Sequence, residues 1–150
     1  MIGGISLATP EDLPRLFEVW ESSVRATHTF LSEADLQALI PLVREGLAGF
    51  TPLHVVRDPS CVAVAFMGVA EGTVEMLFVH GDHRGRGLGH QLLAHAMTEH
   101  GATRVDVNEQ NPQAVGFYLR HGFRVEGRSP LDGQGRPFPI LHLALPEAPA

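Results

Sequence analysis

Apolar and polar positions alternate over Ile5 to Ala8, so the chain there reads as a short strand. The period then changes. Leu13, Leu16, Phe17 and Trp20 recur at helical spacing behind Thr9-Pro10-Glu11-Asp12. That segment offers an N-cap, a proline suited to the first helical position, and acids near the positive end of the helix dipole. Ser32-Glu33-Ala34-Asp35 gives a second helix start, with Leu36, Leu39 and Ile40 as the apolar face. Pro41 is expected to kink or divide that helix. Between the two helices, Arg25 to Leu31 shows no clear period.

Three β-rich runs follow: Leu53 to Arg57, Cys61 to Ala70 and Thr73 to Val79. Asp58-Pro59-Ser60 and Glu71-Gly72 supply the turns, which predicts an antiparallel meander. A glycine-rich loop then leads into a helix bearing Leu92, Leu93, Ala96 and Met97 and ending at Gly101. Arg104 to Val107 reads as a strand, and Asn111 to His121 as a helix closed by Gly122. The last strands fall near Phe123 to Gly127 and Phe138 to Leu145, joined through Asp132-Gly133-Gln134-Gly135. The order β-α-α-β-β-β-α-β-α-β-β predicts a mixed α/β domain. Residues 1–145 form that single domain, and 146–150 a loose tail.

The composition, 44% hydrophobic and 19% charged over 150 residues, suits one compact soluble domain. A net charge of -6 argues against nucleic acid as a partner and favours a cationic ligand. The single cysteine, Cys61, excludes an intrachain disulfide and any multi-thiolate zinc site. The N-terminus lacks the pattern of a signal peptide, and the longest apolar run, Cys61 to Ala70, is too short to span a bilayer. The expectation is a soluble, cytoplasmic protein with no membrane partner.

The richest chemistry lies between Val79 and Leu92. Gly85, Gly87 and Gly89 join a strand directly to a helix, with Arg84 and Arg86 between them. Glycines let a backbone approach a ligand closely, and the first amides of a helix have no intrahelical partner. Such a corner suits phosphate. The Walker loop is absent, because no Gly-Lys-Ser/Thr occurs here. The dinucleotide fingerprint also fails: His90 stands where its third glycine belongs. The preceding meander does not open a βαβ unit either.

Arg84-x-x-Gly87-x-Gly89 instead resembles the acyl-CoA signature of the GNAT N-acetyltransferase superfamily. Asn111-x-x-Ala114-x-x-Phe117-Tyr118-x-x-x-Gly122-Phe123 resembles that family's second block, in the right order and one helix and strand later. Ala26 to Leu31, Val107 to Asn111, Gly127 to Ser129 and Asp132 to Leu143 are similar to the bacterial YjaB-type branch. The resemblance implies a central, mostly antiparallel mixed sheet flanked by about four helices, with the fourth and fifth strands splayed. It implies transfer of acetyl from acetyl-CoA directly to an amine, on a protein lysine or a small molecule. A CoA-binding module without catalysis is the alternative.

By the same resemblance, the backbones of Leu77, Phe78 and Val79 hold the pantetheine arm, and the Phe78 amide faces a developing oxyanion. The amides of Arg84, Gly85, Arg86, Gly87, Leu88, Gly89 and His90 hold the pyrophosphate. Asn111 contacts the cofactor, and Tyr118 gives a proton to the departing thiolate. Glu75 is the first candidate for the base that deprotonates the amine, and His28 the second. Glu75 shares the face of Leu77 and Val79 unless a bulge intervenes. Asp106 occupies another family base position. Asn108 shares its face and, with His28, is expected to orient substrate. Cys61 lies far from both blocks, which argues against a covalent route.

Nine histidines invite a metal, yet none forms H-E-x-x-H. His80 and His83 are close in sequence. His95 and His100, five positions apart, do not share a helix face. No metal is expected. The oligomeric state is left as monomer or homodimer.

Overall fold

The computed structural model describes residues 4–133 and 135–146. Gln134 of the last predicted turn, and most of the predicted tail, lie outside them. The elements are β1 (Ile5–Leu7), α1 (Leu13–Thr27), α2 (Glu33–Gly49), β2 (His54–Arg57), β3 (Ala63–Ala70), β4 (Thr73–Val79), α3 (Leu88–Glu99), β5 (Arg104–Asn108), α4 (Pro112–Arg120), β6 (Arg124–Ser129) and β7 (Ile140–Ala144). Their order is the one read from the sequence. The strands form one sheet, β1-β2-β3-β4-β5-β7-β6, antiparallel throughout except where β4 meets β5.

Two apolar clusters sandwich the sheet. Leu16, Val19, Trp20 and Val24 of α1 and Leu36 and Leu47 of α2 pack with Val55 and Phe66. Leu88, Leu92, Leu93 and Ala96 of α3 pack with Val56, Met67, Val74, Val105, Tyr118 and Phe123. Burying each large apolar side chain contributes about 1.5–3 kcal/mol, so α3 is fixed against the sheet by its inner face.

The start of α1 departs from the simple cap expected. Thr9 caps a short 3₁₀ turn, Pro10–Asp12, and the α-helix proper begins at Leu13. Asp12 closes the capping box by accepting from the Thr9 amide at 2.8 Å, and takes two 2.8 Å bonds from the Arg57 guanidinium. That pair clamps the helix entrance to β2. At the other end α1 runs three residues into the segment that showed no period. Val24, just before that segment, is buried, and the Thr27 hydroxyl donates to the Ser23 carbonyl at 2.8 Å.

α2 is continuous through Pro41, so the proline does not divide it. Pro41 and Gln37, whose carbonyl loses its intrahelical donor, are both exposed, which leaves the freed group accessible to solvent. Ser32 and Asp35 form the expected capping box. No helix among the described residues is long and apolar enough to cross a membrane.

Candidate active site

β4 and β5 meet only at Thr73–Arg104 and Val74–Val105. Past that point β5 continues alongside β7, and β4 alongside β3. The two strands therefore separate, and the β5-facing backbone of β4 beyond Val74 has no ladder partner among the described residues. A bulge sits at this fork. Gly68 pairs with Met76 and Val69 with Val74, which leaves Glu75 as the extra residue. The bulge moves Glu75 out of the simple alternation and leaves its side chain exposed. The parity expected from the sequence thus gives way to the bulge that was its stated exception.

The glycine corner has the geometry a phosphate loop needs. Gly85 and Gly87 have φ of 76° and 79°, the left-handed region where other residues are strained. Gly87 is the N-cap of α3, and the first helical bond runs from the Gln91 amide to the Gly87 carbonyl at 2.9 Å. The amides of Leu88, Gly89 and His90 precede that bond and point out of the helix end. The Phe117 ring lies 3.4 Å from where a Cβ on Gly89 would stand, so this glycine lets α4 close on the loop. Upstream, the Gly81 amide donates to the Ser22 hydroxyl of α1 at 2.9 Å, which anchors the loop to the domain.

One cavity of about 710 Å³ joins the strand fork, the glycine corner and the entry of α4. It is lined by His28, Glu75, Leu77, Phe78, Val79, Arg84, Gly85, Gly87, Leu88, Gly89, His90, Asp106, Asn108, Asn111 and Tyr118. Of the residues predicted to bind acetyl-CoA or acceptor or to act in catalysis, Arg86 alone does not line it; its guanidinium stands 3.3 Å from the His83 ring. Arg84 donates to the Gln113 side chain of α4.

Asn111 is buried and caps α4, its side-chain oxygen accepting from the Ala114 amide at 3.2 Å. Tyr118 is also buried, and its hydroxyl makes no hydrogen bond to another described residue. No fully buried side-chain polar atom among the described residues lacks a partner, so this hydroxyl opens onto the cavity. Burial pushes its pKa above the ordinary phenol value, which keeps it protonated.

At the strand fork the charged side chains lining the cavity, Glu75 and Asp106, are acidic. Desolvation first, then the neighbouring Asp106 and Glu71 charges, raise the Glu75 pKa above the usual carboxylate range. Desolvation lowers the His28 imidazole to about 4, so it is neutral at physiological pH. His28 contacts the Thr27 hydroxyl at 2.8 Å and packs on Phe30, which in turn meets Phe138 from the β6–β7 connection. The loop before α2 and the loop before β7 thus touch beside the cavity.

Several contributors escaped the sequence reading. The Asp106 carboxylate accepts from His142 Nδ1 at 2.7 Å. His142 Nε2 is then an acceptor, and the Ser129 hydroxyl donates to it at 2.7 Å. This chain crosses β6, β7 and β5, and only the nonlocal pairing of Asp106 with His142 creates it. His90 and His121 also meet, at 2.7 Å. His121 Nδ1 donates to the Phe117 carbonyl, so its Nε2 accepts from His90 and ties α3 to the end of α4. The separation expected for His95 and His100 is corrected as well: their rings lie 5.0 Å apart. His100 is the C-cap, with φ -123° and ψ 5°, and it leaves the helical path that the spacing assumed.

The GNAT acetyltransferase domain model matches residues 45–125. The peptidyl-lysine N-acetyltransferase YjaB of Salmonella typhimurium is 40% identical over 146 residues, 97% of this chain and 100% of that protein. The solution structure of apo-form YjaB from Escherichia coli superposes with a TM-score of 0.89 at 40% identity, covering 99% of each chain. PaiA N-acetyltransferase from Thermoplasma acidophilum, solved in complex with coenzyme A, shares the fold with a TM-score of 0.69 at 23% identity, over 95% of this chain and 98% of that one. The strand fork, the glycine corner and an end-to-end relative agree, and the chain belongs to the GNAT acetyltransferase family.

Proposed function

We propose that this N-acetyltransferase acetylates the side-chain amine of protein lysines, with acetyl-CoA and acceptor bound together. One observation carries the reading: a single cavity runs from the free amides of the α3 N-terminus, past the Tyr118 hydroxyl, to the exposed carboxylates of Glu75 and Asp106. Diphosphate, thioester and ammonium each find a matching wall along it. The relatives named above as peptidyl-lysine N-acetyltransferases support the acceptor class. The two carboxylates attract an ammonium, and their exposure suits an amine carried on a flexible four-carbon stem.

A free lysine is neutral only about once in 10³ to 10⁴ molecules at pH 7. Glu75 has the task of taking the proton. Its raised pKa makes it a better base than an ordinary carboxylate, and a better one than His28, which burial lowers to about 4. His28 is then a neutral wall that helps seat the acceptor. Asp106, oriented by His142, steers the ammonium, and Asn108 beside it contributes polar contacts. Bound acetyl-CoA supplies a thioester carbonyl open to attack by the amine. The amine nitrogen gains a bond to the acetyl carbon, the carbon–sulfur bond breaks while Tyr118 meets the charge developing on sulfur, and the second proton shed by the nitrogen ends on that sulfur as the CoA thiol. A thiol titrates near about 8.5 and the buried phenol above about 10. Tyr118 therefore contributes most through a hydrogen bond that strengthens as the sulfur becomes anionic. The reading also implies a cytoplasmic enzyme.

The test follows thiol release from acetyl-CoA with a lysine peptide blocked at its N-terminus, against a polyamine and against the same peptide with arginine in place of lysine. The lysine peptide is the preferred acceptor. Tyr118→Phe is expected to lose roughly 10²-fold in kcat while CoA affinity changes less than about twofold. Wild-type turnover by that variant, or preference for the polyamine, overturns the reading.

A further inference from the structure

Away from the transfer cavity, β2 and the far end of α3 bring three imidazoles together. The ligand-capable nitrogens of His54, His95 and His100 all lie within 4.8 Å of one another. The ring centroids are 4.6 Å apart for His54–His100, 5.0 Å for His95–His100 and 5.5 Å for His54–His95. His54 is buried, His95 half-buried and His100 exposed, and none lines the cavity described above. None of the three rings has a hydrogen-bond partner among the described residues.

A buried histidine ordinarily donates its N–H to a carboxylate or carbonyl. Among the described residues His54 meets two further imidazoles, each able to present a lone pair, and pairs with no acid. That arrangement is a poor hydrogen-bond network and a good ligand set. Tetrahedral zinc with Zn–N bonds of about 2.0–2.1 Å holds its nitrogens about 3.4 Å apart. Rotations about the side-chain bonds of the half-buried and exposed rings suffice to draw nitrogens already within 4.8 Å to that spacing. His100 caps the C-terminus of α3, where the helix dipole favours a cation. Three imidazoles and no oxygen ligand select against calcium and magnesium, and suit a borderline transition ion.

We propose that His54, His95 and His100 bind one divalent transition-metal ion, zinc foremost, which clamps β2 to the end of α3. The fourth position opens on the exposed His100 side and takes water. The clamp fixes the end of the helix whose other end forms the glycine corner, so its effect on the domain is structural.

The test uses the full chain without a histidine tag, stripped with a chelator and titrated with zinc against a chromophoric competitor. One zinc per chain is expected, together with a raised Tm. Cobalt in its place is expected to give visible d–d bands from nitrogen ligation. His100→Ala, at an exposed position, and His95→Gln, at a half-buried one, are each expected to weaken zinc binding by at least about tenfold. Both are also expected to abolish the Tm rise and to leave acetyl transfer unchanged, which shows that the fold is intact. Absence of stoichiometric binding overturns the proposal. So does undiminished binding in the His95→Gln/His100→Gln double variant, which would put the ion on other histidines such as His90 and His121.

Discussion

At the scale of single residues, the cavity wall sets two bases against each other. Burial alone disarms His28, whereas burial and like charge together strengthen Glu75. The two make different predictions about pH. With Glu75 as the base, the acid limb of the kcat/KM profile lies above the usual carboxylate range. Glu75→Gln is expected to abolish that limb and slow transfer by roughly 10²-fold at neutral pH. His28→Gln is expected to raise KM for the acceptor while leaving the limb in place. Loss of the limb in the His28 variant would transfer the role to the imidazole. The sequence named both candidates, Glu75 for its place on the fourth strand and His28 for its place in the segment between the first two helices. It already placed Glu75 ahead of His28. The physical ground for that order is partial desolvation of Glu75 beside the Asp106 and Glu71 charges, set against the burial of His28, which packs on Phe30.

At the scale of elements, the clearest linkage is the clamp between the entrance of α1 and β2. The Arg57 hydrogen bonds, reinforced by the Thr9 amide, lower the Asp12 pKa to about 2, although burial alone would raise it. A depressed folded-state pKa stabilises the fold above the unfolded value of about 3.9 and loses that contribution as pH falls through about 2. The side chain is only 14% exposed, so solvent screening is modest. Asp12→Asn is expected to cost about 2 kcal/mol near pH 6, with the gap from wild type closing as pH falls toward 2. Urea unfolding at a series of pH values measures it, and a gap that does not depend on pH would refute the linkage.

Helix starts were legible because caps are local: Ser32 with Asp35, and Asn111 with Pro112, announce themselves within four residues. The reach of α1 to Thr27 was not, because burial of Val24 by the rest of the fold decides it. Continuity through Pro41 depends likewise on which side of α2 meets water.

At the scale of the whole molecule, strand order and spacing alone describe a mixed α/β domain. The sheet adds the fact that turns it into a catalyst. β4 and β5 begin paired and then part, and the cavity occupies the gap. Nonlocal pairing also creates the Ser129–His142–Asp106 chain and the histidine cluster on β2 and α3, neither of which any local spacing reveals. The two sequence blocks were enough to locate the cavity, because its glycines and its tyrosine belong to contiguous motifs.

The structure of the chain with coenzyme A bound tests the central claim most directly. The diphosphate is expected on the amides of Leu88, Gly89 and His90, with the sulfur end in the β4–β5 gap within hydrogen-bonding reach of the Tyr118 hydroxyl. A complex that seats the diphosphate elsewhere, or leaves the gap empty with the phenol turned from the sulfur, would contradict the account.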